Sequence, residues 1–253
     1  VSSRRALLAA GAGGALGALL PVRAPAATAP GGDVYLRGSR RALLHAVLAR
    51  LGRIQRTVGH GNFYLLGFDR MLRVARDYSA VGPFPRVELA FLEELFAIDA
   101  RVYGFYGEKV LSALSAELAY RELVRVPGSA QRLVHGAAQA RLAGMRRLVG
   151  DRLVLTSGVR GMVKQIHLFL RKAARSGGNL SRAARSLAPP GYSFHAIGDF
   201  DIGERGLGAA NFTAAFTDTE VFRRLSRAGA LPMRYPRGNR LGVRFEPWHV
   251  RVV

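Results

Sequence analysis

The stretch Arg152-Leu153-Val154-Leu155-Thr156-Ser157-Gly158-Val159-Arg160-Gly161-Met162 marks a change of architecture within a chain of 253 residues. Arg152 to Thr156 is rich in apolar and β-branched residues and reads as a strand. Ser157 to Gly161 reads as a turn. From Met162 to Ala173 the apolar residues Met162, Ile166, Phe169, Leu170 and Ala173 recur at helical spacing, which predicts a helix with one buried face. Strand, turn and helix in such quick succession separate residues 151–253 from what precedes them.

Upstream, residues 30–150 read as a helical region. Ser39 is placed to cap a helix whose apolar positions are Leu43, Leu44, Val47, Leu48, Leu51 and Ile54. Pro85 is suited to begin another, with Phe91, Leu92, Leu95 and Phe96 on its buried side. Further helices are expected over Glu108–Arg125 and Ser129–Leu148. His60, between Gly59 and Gly61, reads as a loop residue. Downstream, Ser176 to Tyr192 is a Gly/Ser/Pro-rich loop, and Thr217-Asp218-Thr219-Glu220 has the form of a capping box. Short strands are expected at Met233–Tyr235, Val243–Phe245 and His249–Val253, with Gly238-Asn239 as a turn. Strands mixed irregularly with helices predict an α+β fold: a small, mostly antiparallel sheet with flanking helices, preceded by the helical region.

Composition narrows the chemistry. Nearly half the residues are apolar and the charged fraction is ordinary, as in a globular protein. The formal net charge is +21, nearly all from arginine. Such a balance favours electrostatic contact with an anionic wall or membrane surface. No basic block interleaved with aromatics is present, and this argues against nucleic acid. The chain has no cysteine, so disulfides, thiolate zinc sites and a cysteine nucleophile are all excluded.

Residues 1–29 read as a twin-arginine-like export signal and linker. Arg4-Arg5 opens an apolar run that reaches Leu20, and Ala24-Pro25-Ala26 is the expected cleavage site. The run is shorter than the ~20 residues that span a bilayer. An exported protein of the periplasm or cell envelope is the expectation.

The chemistry gathers in two places. Ser193-Phe194-His195-Ala196-Ile197-Gly198-Asp199-Phe200-Asp201 holds one histidine and two carboxylates, which would share a face on a strand. Glu246-Pro247-Trp248-His249 adds a second histidine three residues after a glutamate. Three ligands and a spare carboxylate are the inventory of a catalytic zinc site. Two histidines and several acids also co-occur in many chains, so the residue types alone leave that reading open.

Several motifs, in order, resemble the VanY-type D-Ala-D-Ala carboxypeptidases of the LAS zinc peptidase group. These are Ser157-Gly158-Val159-Arg160 with Gln165, then Pro190-Gly191-Tyr192-Ser193-Phe194-His195-Ala196-Ile197-Gly198, then Arg234-Tyr235-Pro236, then Glu246-Pro247-Trp248-His249. The resemblance covers about a hundred residues and not the helical region. It implies a LAS/hedgehog-like catalytic region at 151–253 and a zinc metallopeptidase with one Zn2+ per chain. His195, Asp201 and His249 would bind the metal, and Glu246 would act as general base. Arg160 would stabilise charge or hold substrate, while Gln165 and Ser193 would position substrate. The family pattern puts the metal aspartate seven residues after the first histidine. Here that position is Ile202, so Asp201, at six, is taken as the ligand, with Asp199 as the alternative.

The implied reaction is removal of terminal D-Ala from peptidoglycan stem peptides. The competing expectations are an endopeptidase or D,D-dipeptidase using the same site, and a zinc-holding wall-binding protein without catalysis. A serine penicillin-binding enzyme is disfavoured, for neither Ser-x-x-Lys nor Lys-Thr-Gly occurs.

Overall fold

A computed structural model describes residues 32–253; the export signal and linker expected over residues 1–29 lie outside them. Helix α1 (Gly38–Val58) buries Leu44, Val47, Leu51 and Ile54, as the 3–4 spacing of its apolar residues predicts. Arg37 holds its cap position without a side-chain bond, and Ser39 lies inside the first turn instead of capping it. Helices α2 (His60–Tyr64), α3 (Phe68–Asp77) and α4 (Arg86–Ala97) follow, the last entered from Pro85. Arg50 of α1 clips this region together. It donates to both carboxylate oxygens of Glu88 on α4, at 2.7 and 3.1 Å, and to the carbonyls of Val81 and Gly82.

The helix expected over Glu108–Arg125 does not form. The segment runs as irregular chain, then a 3-10 turn at Tyr120–Glu122, then strand β1 (Leu123–Arg125). Long-range bonds displace the local helical pattern: the amides of Val110 and Leu111 both donate to the Gly191 carbonyl. The next expected helix starts late for a similar reason. β2 (Arg132–Val134) pairs antiparallel with β1, and α5 (Ala137–Val149) begins after it.

Strand β3 (Leu153–Ser157), helix α6 (Met162–Arg175) and the short helix α7 (Leu180–Ala184) come next. Strand β4 (Phe200–Glu204), helix α8 (Glu220–Arg227), β5 (Met233–Tyr235) and β6 (Glu246–Val250) complete the order. The capping box expected from Thr217 does not form: Thr219 caps α8 instead, accepting from the Phe222 amide, while the Thr217 hydroxyl donates to the Ala214 carbonyl. No strand forms at Val243–Phe245, and the strand expected at His249–Val253 is shifted towards the N-terminus: β6 overlaps it only at His249 and Val250. His195 is not on a strand. It sits in a 3-10 turn at Phe194–Ala196, ahead of β4.

Strands β3, β4, β6 and β5 form one antiparallel sheet in that order. The result is the α+β architecture the sequence predicts. Two apolar cores support it. One packs α1 to α4 against α6, around Phe63, Phe91, Phe105 and Phe169. The other packs α5 and α8 on the sheet, around Leu133, Phe200, Phe216 and Trp248. Helix α6 therefore carries its apolar face into the helical region while its N-terminal turn follows β3. A further tie joins the two parts: the amide of Leu36 donates to Gly178, and that of Leu180 to Val34.

Candidate metal centre

The sheet register builds the site. Ser157 on β3 lies opposite Asp201 on β4, and Asp201 lies opposite His249 on β6. Directly opposed residues present their side chains to one face, so these three form a row across three strands. His195 reaches the same place from its turn. One ligand atom each from His195, Asp201 and His249 lies within 4.8 Å of the others, and all three residues are buried.

Each imidazole is oriented from behind. Nδ1 of His195 lies 2.9 Å from the Gly158 carbonyl. A carbonyl only accepts, so Nδ1 carries the proton and Nε2 keeps its lone pair, 3.3 Å from Asp201 Oδ2. Nε2 of His249 donates to Asp199 at 3.1 Å, which leaves Nδ1 facing Asp201 at 3.4 Å. Asp199 is committed elsewhere as well: Arg234 donates to it at 2.7 and 3.1 Å, and the Val252 amide at 2.8 Å. It stands behind the donor set, orienting His249, while Asp201 stands within it. Asp201 Oδ1 is buried and has no hydrogen-bond partner.

That orphaned oxygen and two imidazole lone pairs, converging at short range, fit a divalent cation. The charge balance agrees. Burial opposes a proton on His249, yet Asp199, Glu246 and Asp201 outweigh burial and push it up to about 9. A site that attracts positive charge this strongly is suited to a cation. Burial and Arg160 hold His195 below the usual imidazole value. Burial opposes ionisation of Asp201, but the two histidines and Arg160 keep its carboxyl low.

Gly158 shows why the Ser-Gly-x-Arg turn needs its glycine. A Cβ there would stand 2.1 Å from the Arg132 carbonyl, which also accepts from the Val159 amide. The turn directs Arg160 inward. Its guanidinium donates to Gln165 at 2.9 Å and to Ser157 at 3.1 Å, and lies 3.6 Å from Asp201. Gln165 also donates to the Ala188 carbonyl and sits behind Arg160, outside the cavity lining.

Residues 131–253 match the family described as VanY: D-alanyl-D-alanine carboxypeptidase. This part of the chain is similar to that family. Three solved structures are similar to it. One is the LdcB LD-carboxypeptidase, described with the molecular basis of peptidoglycan recognition, at 26% identity, 48% of this chain, 59% of that chain and TM-score 0.41. The second is the D,D-pentapeptidase VanY from a VanB-type resistance cassette, a variant in complex with Zn(II), at 28% identity, 52% and 78% coverage and TM-score 0.42. The third is VanYB in complex with D-alanine-D-alanine, at 27% identity, 52% and 77% coverage and TM-score 0.40. The chain spans less than two thirds of the first of these. None of the curated proteins matches it.

The cluster of His195, Asp201 and His249 opens into a cavity of about 310 Å³. Ser193, Arg160 and Glu246 line it beside the three clustered residues, as does Trp248. Glu246 Oε2 lies 3.6 Å from His249 Nδ1, and burial pushes its carboxyl above the usual range. Trp248 packs edge-on against Phe212 and anchors β6. Sequence reading did not single out Tyr64 or Lys164, which also line the cavity. Tyr64 comes from the helical region, and nothing in its local sequence signals that position. Lys164 precedes Gln165, and its place on the helix after the turn was the available clue. His45, His60 and His135 are exposed, with His60 bonded to Gln55. His167 is buried edge-on against Phe63.

Proposed function

We propose that this chain is a zinc-dependent D-alanyl-D-alanine carboxypeptidase that trims terminal D-Ala from peptidoglycan stem peptides. The observation that carries the proposal is the buried convergence of His195, Asp201 and His249 at the end of a cavity that Glu246 also lines. His195 Nε2, a carboxylate oxygen of Asp201 and His249 Nδ1 would hold the ion. Two imidazoles and one carboxylate are a donor set that suits zinc. Zinc bound there would supply Lewis acidity that polarises the scissile carbonyl and eases deprotonation of the attacking water.

The chain's own groups would do the rest. Glu246 accepts the proton of the attacking water and returns it to the departing amine. Burial raises its pKa, the direction that makes it a better proton acceptor than an exposed carboxylate. Arg160, held by Gln165 and Ser157, presents a fixed positive charge to the oxygen that becomes negative. Ser193 offers a hydroxyl to the peptide from the cavity wall. Asp199 and Gly158 keep the two imidazoles in the tautomers that leave lone pairs facing Asp201.

A wall substrate places the reaction outside the cytoplasmic membrane, in keeping with the signal expected over residues 1–29. Among the described residues, no helix is long and apolar enough to cross a membrane. The test is to incubate the protein with a stem pentapeptide and weigh the products. Loss of a single D-Ala supports the proposal. Loss of a dipeptide, cleavage at an internal bond or no cleavage contradicts it.

A further inference from the structure

The charges lining the cavity are unevenly paired. Its carboxylates, Asp201 and Glu246, both stand at the cluster end, where Arg160 and Arg244 lie 3.6 and 3.7 Å from them. The wall formed by α6 carries Lys164, Leu168 and Lys172, four residues apart and so on one helix face. The chain has only three lysines, and two of them are here.

Lys164 is 7% exposed, yet no carboxylate among the described residues lies within ion-pair distance of it. Its ammonium stands 4.4 Å from the centre of the Tyr64 ring, a weak substitute for an anion. Burial, with Arg160 and Arg171 nearby, pushes it down to about 8, so it stays mostly charged at neutral pH but poorly compensated. Ser186, on the same cavity lining, has a buried hydroxyl with no hydrogen-bond partner. A charge on a largely buried side chain without a counter-ion, at a cavity wall, and an orphaned hydroxyl beside it both favour a ligand that completes them.

We infer that the α6 wall, through Lys164 with Ser186 and Lys172, binds a second carboxylate of the substrate, carried by an acidic residue on the acyl side of the scissile bond. The inference rests on the carboxypeptidase reading and deepens it. The side follows from distance. Lys164 and Lys172 are separated by about 12 Å of helix, running away from the turn that holds Arg160. A peptide advances about 3.4 Å per residue, so this wall spans several residues. An exopeptidase releases only one residue beyond the cut, and the long side is therefore the acyl side.

The test uses two peptides ending in D-Ala-D-Ala that differ only in whether the side-chain acid before that pair is a free carboxylate or its carboxamide. Binding is measured by calorimetry on the full chain loaded with zinc and carrying Glu246→Ala, so that turnover plays no part. The expected result is at least tenfold tighter binding of the acid, falling towards equal binding in Lys164→Met and more weakly in Lys172→Met. Equal affinity for the two peptides, or a preference untouched by both lysine variants, overturns the inference. Hydrolysis of the same pair by the unmutated chain is scored separately: failure to cleave either peptide counts against the reaction, while unequal binding still supports the subsite.

Discussion

Asp199 and His249 lie fifty residues apart in sequence and 3.1 Å apart in space, carboxylate to Nε2. The bond decides which face of the imidazole is offered to Asp201. Arg234 in turn fixes Asp199 from its other side, through a pair that is almost wholly buried and stacks on Phe194. One carboxylate thus settles both a tautomer and a charge balance.

Asp199→Asn keeps the shape of this partner and removes its charge. Zinc affinity is expected to fall about 10–100-fold, measured by competition with a chelator of known affinity. Unchanged affinity would mean that His249 is oriented by packing alone.

Glu246→Gln is expected to retain zinc and lose about 10²–10⁴-fold in kcat, since the amide neither takes nor returns a proton. Steady-state hydrolysis of a D-Ala-D-Ala peptide, paired with metal analysis, reads both quantities. Near-normal kcat would remove Glu246 from the reaction.

His167 yields a pH prediction away from the metal centre. Burial, with Lys164 and Arg171 adding to it, lowers its pKa from the usual 6.5 to about 4. An unfolded chain binds this proton below pH 6.5, whereas the folded chain resists it until about pH 4. Folded stability from this group is therefore complete above 6.5 and is lost as pH falls towards 4. Thermal melts of the wild type and His167→Phe should show the variant losing less Tm between pH 7 and 5. Parallel losses would contradict it.

Leu51→Ala removes a fully buried side chain from the core shared by α1 and α6. The expected cost is about 2–5 kcal/mol in denaturant unfolding. Because α6 follows the Arg160 turn, hydrolysis should be lost over the same denaturant range as α-helical signal. Activity that outlasts the helical signal would separate the two cores.

The sequence carried the parts whose pattern is local. Helix α6 shows its buried face at 3–4 spacing, and a helix does follow Thr217-Asp218-Thr219-Glu220, although its cap is Thr219 and not the first residue of that box. The resemblance of short motifs brought His195, Asp201 and His249 onto one list before any geometry was known. The irregular stretch before β1 was illegible because its apolar residues are spaced as in a helix while its amides bond to Gly191, some eighty residues away. The start of α5 was misplaced because Ser129 closes a turn by accepting from the Gln131 amide instead of opening a helix. The division of labour between Asp199 and Asp201 depends on which one faces His249 Nδ1 across paired strands. Strand register supplies that answer, and residue spacing does not.

The measurement that bears most directly on the metal centre is the zinc content of purified protein, determined by elemental analysis for the wild type, Asp201→Ala and His249→Ala. Stoichiometric zinc in the wild type, with near-complete loss in both variants that still show a cooperative melt, is the predicted result. Zinc absent from an active wild type, or held equally well by His249→Ala, would contradict the assignment.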